Sequence, residues 1–298
     1  MHTLAIQGNI ITTKRSKTTH ANLEQHRSVT IFGNPEIESS IKMLISSLNC
    51  NGIRSAARKG FFNWMALQSP DVLCLQETKA HESQLSDTVF SPDNYHRYFF
   101  DAEKKGYSGT AIFSKRRPDL VTKGFGWDIA DLEGRYLQAD FDQLSVISLY
   151  MPSGSSSNER QQIKLQFLEK FYLHLLHLRN SGRSFVICGD WNMCHKAVDL
   201  KNWKANQKNP GFLPEERAWL DRLFYETGYV DAFRLVNQQP DQYSWWSNRG
   251  QARNNNVGWR LDYPVITPDL SSKVVDVTIH ADQFFSDHAP VTLFLKDS

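Results

Sequence analysis

Short apolar runs bounded by turn-forming residues recur along the chain from residue 43 onward. Runs of about four to eight apolar residues, alternating with polar ones or continuous, are typical of β-strands. We predict strands over 43–49, 71–76, 107–113, 135–141, 144–150, 184–189, 259–266, 273–280 and 290–295.

Other segments repeat apolar residues at helical spacing instead. We predict helices over 55–68, 159–179 and 215–226. Gly182 lies just beyond the second helix, and Pro214 stands where the first residue of the third is expected. The excess of strands over helices predicts two β-sheets packed face to face and covered on the outside by helices.

The first 42 residues differ from the rest because they are rich in Thr, Ser, Asn, His and Gln and show no sustained period. Met43 then opens the first strand-like run. We predict a disordered extension over 1–42, or an upstream start codon, followed by a single domain over 43–298, a length that one core can serve. Three Glu residues and the lack of an apolar face disfavour a targeting peptide.

The net charge of +2 comes from that extension, which carries five basic and three acidic side chains. The remaining 256 residues carry 29 of each, so the overall charge does not indicate a nucleic-acid partner. Any DNA-binding surface must therefore be a local one.

Four cysteines show no C-x-x-C spacing, and Cys50, Cys74 and Cys188 fall in strand-like runs. We predict reduced, buried thiols in place of a disulfide framework or a zinc site.

No apolar run approaches the roughly 20 residues that span a bilayer. Without a secretory pattern, we expect a cytoplasmic protein, nucleoid-associated if bacterial, that does not contact a membrane.

Polar side chains stand at the ends of six predicted strands. Because the strands of one sheet deliver their ends to a common edge, we expect these groups to converge. They are Asn49 and Asn51, Gln76 and Glu77, Tyr150, Asp190 and Asn192, Asp262, and Ser286 to His288.

Carboxylate and carboxamide oxygens favour Mg²⁺, or Mn²⁺ as a substitute, over zinc. We expect Glu77, with Asn49 or Asp287, to hold such an ion. Hydrolysis of a phosphodiester also needs an aligned water and a neutralised phosphate.

Asp190 is suited to activating or orienting that water, with Asn192 placing it. His288, oriented by Asp262, is suited to contacting the phosphate. Each group alone is also explained as an ordinary turn or a solvated strand end, whereas their joint placement at strand ends favours a site.

Taken in order, these stretches resemble the exonuclease III and apurinic endonuclease family of the wider endonuclease/exonuclease/phosphatase superfamily. The resemblance covers about residues 43–296. The matching stretches are Asn49-Cys-Asn-Gly-Ile-Arg, Leu75-Gln-Glu-Thr-Lys79, Tyr107-Ser-Gly-Thr-Ala111, Tyr150-Met-Pro152, Gly189-Asp-Trp-Asn192, Gly211-Phe-Leu-Pro-Glu-Glu-Arg217, Asn256-Val-Gly-Trp-Arg-Leu-Asp-Tyr263 and Ser286-Asp-His-Ala-Pro290.

The resemblance implies a DNase I-like, four-layer α/β sandwich of two mixed sheets flanked by helices. It implies a catalytic set and a metal set that overlap, and it leaves open whether Asp190 or His288 is the general base. Asn51 stands where some members carry Asp, which disfavours a second metal position. The implied catalytic residues are Tyr150, Asp190, Asn192, Asp262 and His288, and the implied metal residues are Asn49, Glu77, Asp190, Asn192, Asp287 and His288.

Two further segments match DNA-contacting parts of the family. In 201–212, Asn206 and Asn209 match positions beside the abasic site. In 245–260, Trp245 and Trp259 match two apolar walls that admit a sugar without its base. Arg54 and Lys79 lie beside the catalytic strand ends, and we expect Arg249, Arg253 and Arg260 to add local positive charge.

The implied activity is that of an Mg²⁺-dependent DNA repair phosphodiesterase. It would cut 5′ to abasic sites and also act as a 3′–5′ exonuclease and 3′-phosphodiesterase. Its substrate would be double-stranded DNA with abasic sites or blocked 3′ ends, and it would act as a monomer. The alternatives are a 3′–5′ exonuclease without abasic endonuclease activity, a phosphatase of the same superfamily, or a non-enzymatic DNA-binding protein.

Overall fold

The computed structural model describes residues 40–297, which form two six-stranded sheets. The strands are β1 (Ile41–Asn49), β2 (Val72–Gln76), β3 (His96–Phe100), β4 (Thr110–Ser114), β5 (Leu120–Lys123), β6 (Tyr136–Phe141), β7 (Leu144–Tyr150), β8 (Ser184–Asp190), β9 (Val230–Asp231), β10 (Trp245–Trp246), β11 (Gly258–Trp259), β12 (Asp262–Ile266), β13 (Val274–Ile279) and β14 (Val291–Lys296). The helices are α1 (Ile53–Arg58), α2 (Phe61–Gln68), α3 (Asp128–Asp131), α4 (Asn158–Asn180), α5 (Trp203–Asn206), α6 (Pro214–Asp221) and α7 (Ala232–Val236).

Both sheets are mixed. The first sheet has the order β13-β14-β1-β2-β4-β3, and the second has the order β5-β6-β7-β8-β12-β9. Each has one parallel pair at its centre, β1 with β2 and β7 with β8. The strands of each pair therefore end at the same edge of their sheet, while the antiparallel strands β14 and β12 begin there.

Three apolar layers hold the sheets and helices together. Facing side chains of the two sheets, such as Ile112 and Val186, form the central layer. Helices α4 and α6 pack on the outer face of the second sheet through residues such as Phe171 and Trp219. Helices α1 and α2 cover the first sheet in the same way. The predicted four-layer sandwich is confirmed, and all four cysteines are buried free thiols.

The predicted elements agree with the structure best where the apolar pattern is long. Helix α4 is one residue longer at each end than predicted. The predicted helix 55–68 is instead two helices, because Gly60 adopts a left-handed conformation (φ 87°) between them. The predicted strand 259–266 is likewise divided, since β11 pairs with β10 and only β12 joins the second sheet.

Strand β1 begins at Ile41, two residues before Met43. Residues 1–39 lie outside the described residues, so the character of the extension stays a prediction. Within residues 40–297, no helix combines the length and the apolar content needed to cross a bilayer.

A buried charge cluster fixes the turn that leads into β12. Asp199 lies between Arg260 Nε (3.0 Å) and Arg234 Nη2 (2.6 Å), and Arg260 also contacts Asp231 (2.7 Å). Burial raises the pKa of Asp199, but the two guanidinium groups outweigh it and lower the pKa to about 2. The cluster therefore holds Trp259 and Asp262, on either side of Arg260, against the segment that ends at Asp199.

We expect Asp199→Asn to lower the free energy of unfolding at pH 7 by about 2–3 kcal/mol, because a lowered carboxyl pKa stabilises the folded state once the group is ionised. That contribution is complete above pH ~4 and is lost as the pH falls towards 2. Urea unfolding at pH 7 and pH 3 should show the difference between wild type and variant shrinking at the lower pH. An equal difference at both pH values would contradict this account.

Candidate active site

Strand register places three of the predicted catalytic residues side by side. Tyr150 is paired with Asp190 across β7 and β8, and Asp190 is paired with Asp262 across β8 and β12. Asn49, at the end of β1, and Glu77, directly after β2, reach the same edge from the first sheet. The convergence predicted from strand ends is therefore present in the structure.

Asp190 is held by three donors in a turn that Asn192 closes. Its Oδ1 accepts from the Asn192 backbone N–H (2.9 Å). Its Oδ2 accepts from Asn49 Nδ2 (2.9 Å) and from Asn192 Nδ2 (3.0 Å). Burial, with the nearby Asp262 carboxylate, raises the pKa of Asp190 to about 7 although these donors and His288 oppose the rise. A carboxyl with this pKa can exchange a proton near neutral pH.

His288 lies between two carboxylates. Its Nδ1 is 2.8 Å from Asp262 Oδ2, which also accepts from Ser244 Oγ (2.6 Å). Its Nε2 is 3.8 Å from Asp190 Oδ2, too far for a hydrogen bond, and His288 lines the cavity at this edge. Burial lowers the pKa of His288, but Asp262 and Asp190 outweigh it and raise the pKa to about 10. The imidazolium can therefore donate through Nε2 towards an anion in the cavity.

Glu77, Lys79 and Asn51 form the opposite side of the site. Glu77 accepts a short hydrogen bond from the Tyr150 hydroxyl and lies 3.2 Å from Lys79 Nζ. Lys79 also donates to Asn51 Oδ1 (2.5 Å), and Asn51 donates to Asp287 Oδ1 (2.9 Å). The backbones of Asn51, Glu77 and Lys79 have positive φ values of 43° to 52°. Such strained conformations in non-glycine residues cluster at functional sites.

The oxygen atoms around Glu77 fit a divalent cation. Glu77, Asn49 and Asp287 all line the cavity, and the ammonium of Lys79 beside Glu77 shows that this corner accepts positive charge. Asp190, Asp262 and His288 each also offer one potential ligand atom, and these three atoms lie within 4.8 Å of one another. In that group His288 Nδ1 already bonds to Asp262 Oδ2, whereas Glu77, Asn49 and Asp287 offer carboxylate and carboxamide oxygens, the ligands that Mg²⁺ prefers.

The cavity has a volume of about 320 Å³ and one aromatic wall, formed by Trp245 and Trp259. Trp245 and Trp259 are directly paired across β10 and β11, with ring centroids 6.5 Å apart and planes at 82°. Trp245 Nε1 donates to Asp287 Oδ2 (3.1 Å), which ties this wall to the side of the cavity that carries Asp287 and Asn51. Gly211 lines the cavity beside Trp259, where a Cβ atom would lie 3.3 Å from the indole ring.

The other predicted DNA-contacting residues lie outside the cavity. Arg54 is exposed on α1, and Asn209 is exposed next to Asn206, to which it donates (2.7 Å). The expectation for Arg260 was wrong, because this side chain is fully buried in the Asp199 cluster. Arg253 is largely occupied by backbone carbonyls of the 281–286 loop, so Arg249 alone of these three faces solvent freely.

Sequence reasoning missed two supporting residues. Ser244 orients Asp262 and accepts from the Leu261 and Asp262 backbone N–H groups (3.0 Å each). Arg135 lies 4.5 Å from the Tyr150 ring centroid and donates to the Tyr150 carbonyl (3.0 Å). Neither position carries a local pattern, because a single Ser in a loop and an Arg at the start of a strand are both common on protein surfaces.

Comparisons with known proteins identify related enzymes. The model of the endonuclease/exonuclease/phosphatase family matches residues 46–288. The chain is 41% identical over 258 residues to an exodeoxyribonuclease of Bacillus subtilis (strain 168), covering 85% of this chain and all of the relative. It is 40% identical to the DNA repair nuclease APEX1 of Danio rerio, covering 85% of this chain and 82% of the relative.

A solved AP endonuclease from Archaeoglobus fulgidus superposes with a TM-score of 0.76 at 29% identity, covering 86% of this chain and all of that chain. The sequence match and the fold point to one group of enzymes. The chain therefore belongs to the endonuclease/exonuclease/phosphatase family, within its exodeoxyribonuclease and AP endonuclease branch.

Proposed function

We propose that this protein is a DNA repair phosphodiesterase that nicks duplex DNA 5′ to abasic sites and also removes residues or blocking groups from 3′ ends. It would use Mg²⁺, with Mn²⁺ as a substitute, and act as a monomer. The observation that carries the proposal is one cavity with two different walls. One wall holds Glu77, Asp190 and His288, and the other is formed by Trp245 and Trp259.

The hydrolytic wall supplies the groups that phosphodiester cleavage needs. Asp190, with its raised pKa, would take a proton from the attacking water, and the side chain of Asn192 would fix its orientation. The His288 imidazolium would donate to a phosphate oxygen and reduce its charge. A divalent cation held by Glu77, Asn49 and Asp287 would further neutralise the phosphate and stabilise the leaving oxygen.

The aromatic wall supports selection of damaged nucleotides. The indole rings of Trp245 and Trp259 line the cavity with apolar surface, which favours a flipped-out sugar without a base over a nucleotide whose base carries polar edges. An exodeoxyribonuclease among the relatives and an AP endonuclease among the similar structures favour both activities. A binding protein without catalysis is disfavoured because every predicted hydrolytic group is present at this edge and hydrogen-bonds to at least one other.

The remaining contacts would come from exposed basic side chains. Lys201, Lys204 and Lys208 are exposed within the predicted DNA-contacting segment 201–212. Arg54 and Arg249 are exposed as well. Such contacts give affinity without reading sequence, which suits recognition of a lesion in any sequence.

We expect a labelled duplex with one tetrahydrofuran abasic analogue to be nicked 5′ to the analogue in Mg²⁺, and to stay uncut in EDTA because the charge of the phosphate is then not neutralised. The measurement is the length of the labelled product on a denaturing gel. An undamaged duplex of the same sequence with a recessed 3′ end reports trimming separately.

The outcomes separate the parts of the proposal. Trimming of the 3′ end without a nick at the analogue would overturn the lesion pocket and leave a 3′–5′ exonuclease. No cleavage of either duplex in Mg²⁺ or Mn²⁺ would overturn the DNA assignment, and phosphorylated lipids or inositols would become the substrates to assay.

A further inference from the structure

A fully buried ion pair lies beneath the floor of the cavity. Lys164, on α4, and Glu216, on α6, both have side chains with 0% exposure, and Lys164 Nζ is 2.6 Å from Glu216 Oε1. A buried charge pair costs considerable desolvation energy, so it is weak support for stability by itself. Its partners indicate what else it does.

The hydrogen bonds of the Lys164 ammonium are all directed at cavity-lining residues or at Glu216. The three N–H bonds of an ammonium match three acceptors here, namely Glu216, the Asn192 carbonyl (2.9 Å) and the Ser153 carbonyl (3.4 Å). Asn192 and Ser153 both line the cavity. One end of the pair is thus fixed to the catalytic turn and to the loop that follows β7.

The carboxylate fixes a third lining segment. Glu216 Oε2 accepts from the backbone N–H of Gly211 (2.7 Å) and of Leu213 (3.0 Å), and Gln161 donates to Oε1 (3.2 Å). Gly211 lines the cavity against the Trp259 ring. The Asn192 carbonyl, which accepts from Lys164, lies 3.3 Å from a Cβ placed at Gly211, as close as the Trp259 ring.

We infer that the Lys164–Glu216 pair sets the position of the aromatic wall relative to the catalytic turn, and that both are positioning residues for cleavage at an abasic site. The inference rests on the proposed function. A satisfied buried network is rigid, so the pair would hold Asn192 beside Asp190 while it holds Gly211 against Trp259. The distance between the hydrolytic groups and the aromatic wall of Trp245 and Trp259 would then be fixed.

The test uses a double variant, because a single substitution leaves one charge buried without a partner. Lys164→Met alone should lower Tm by on the order of 10 °C. Lys164→Met with Glu216→Gln removes both charges while keeping an acceptor for the Gly211 and Leu213 amides, and should return Tm to within about 5 °C of wild type.

We expect the kcat of the double variant on the tetrahydrofuran duplex to be at least about 10-fold lower than that of wild type, because the catalytic turn is displaced. KM should change less than about 3-fold, because the exposed side chains that contact DNA remain. The ratio of nicking at the analogue to trimming of an undamaged 3′ end should also fall. Glu169→Gln with Arg222→Met is the matched control. Glu169, on α4, and Arg222, directly after α6, form an ion pair at the surface (3.0 Å), and replacing both should leave Tm and kcat unchanged.

Wild-type kcat and an unchanged ratio in a stably folded double variant would show that the pair is only structural and would overturn the inference. Should the double variant unfold, Glu216→Asp, which keeps both charges but shortens the reach of the carboxylate to the Gly211 and Leu213 amides, decides by the same comparison of kcat with KM. Failure of the wild type to nick the analogue would instead overturn the proposed function, so the two failures are distinguishable.

Discussion

Asp190→Asn is expected to lower kcat for nicking at an abasic analogue by about 10³-fold, which corresponds to roughly 4 kcal/mol of transition-state stabilisation. The carboxamide has nearly the shape of the carboxylate but cannot accept a proton from water. It also presents an NH₂ group to a site where Asn49 and Asn192 already donate. Both effects act on the chemical step, so KM for the duplex should change little.

The same substitution should leave the protein as stable as wild type or more stable at pH 8. Burial raises the pKa of Asp190 to about 7, so ionisation of this carboxyl above its ordinary pKa costs folding free energy. Removing the charge removes that cost. Many active sites sacrifice stability in this way.

Single-turnover cleavage and thermal unfolding of the same preparation would check both expectations. Asp276→Asn, in the middle of the edge strand β13, is the matched control and should behave as wild type. A loss of activity that is matched by a loss of Tm would contradict the catalytic role of Asp190.

Asp262→Asn is expected to lower kcat/KM by about 10² to 10³-fold at pH 8, although Asp262 does not line the cavity. Asp262 acts through His288, because it orients Nδ1 and keeps the imidazole charged. Without that carboxylate, the pKa of His288 falls from its raised value of about 10.

This pKa change has a defined sign in the pH profile. The imidazolium exists below its pKa, so wild type should keep a charged His288 up to pH ~10, whereas the variant should lose it at lower pH. The alkaline limb of kcat/KM should therefore move to lower pH in Asp262→Asn. Measurements from pH 6.5 to 9.5 would show a larger loss at pH 9 than at pH 7.

Ser244→Ala separates orientation from charge. It removes a donor to the same oxygen of Asp262 but leaves the carboxylate in place. We expect a smaller loss of kcat/KM and no shift of the alkaline limb. A profile for Asp262→Asn that runs parallel to that of wild type would exclude the proposed role of His288 as a charged donor.

Most of the fold could be predicted from the sequence because buried strands and long amphipathic helices leave strong periodic patterns. Edge strands were missed for a physical reason. Strands β3 and β5 are short, carry charged residues and are partly exposed, so their patterns resemble those of loops. The break at Gly60 was also missed, since one residue hardly changes the period of the surrounding helix.

The catalytic groups could be located because all but Asp262 stand next to the end of a predicted strand, and strand ends of one sheet share an edge. The roles of Ser244, Lys164 and Glu216 could not, because they depend on contacts between distant segments. Lys164 in an amphipathic helix is expected to face solvent, and only packing against α6 shows that it is fully buried.

The main polar contacts of the site join one sheet to the other. Asn49 in the first sheet donates to Asp190 in the second across 141 residues of sequence, and Tyr150 in the second sheet bonds to Glu77 in the first. His288, which precedes a strand of the first sheet, bonds to Asp262 in the second. A chain emerging from the ribosome therefore has no assembled set of these groups until its last strand has docked, so a partly made or partly folded copy lacks the site to which we assign DNA cleavage.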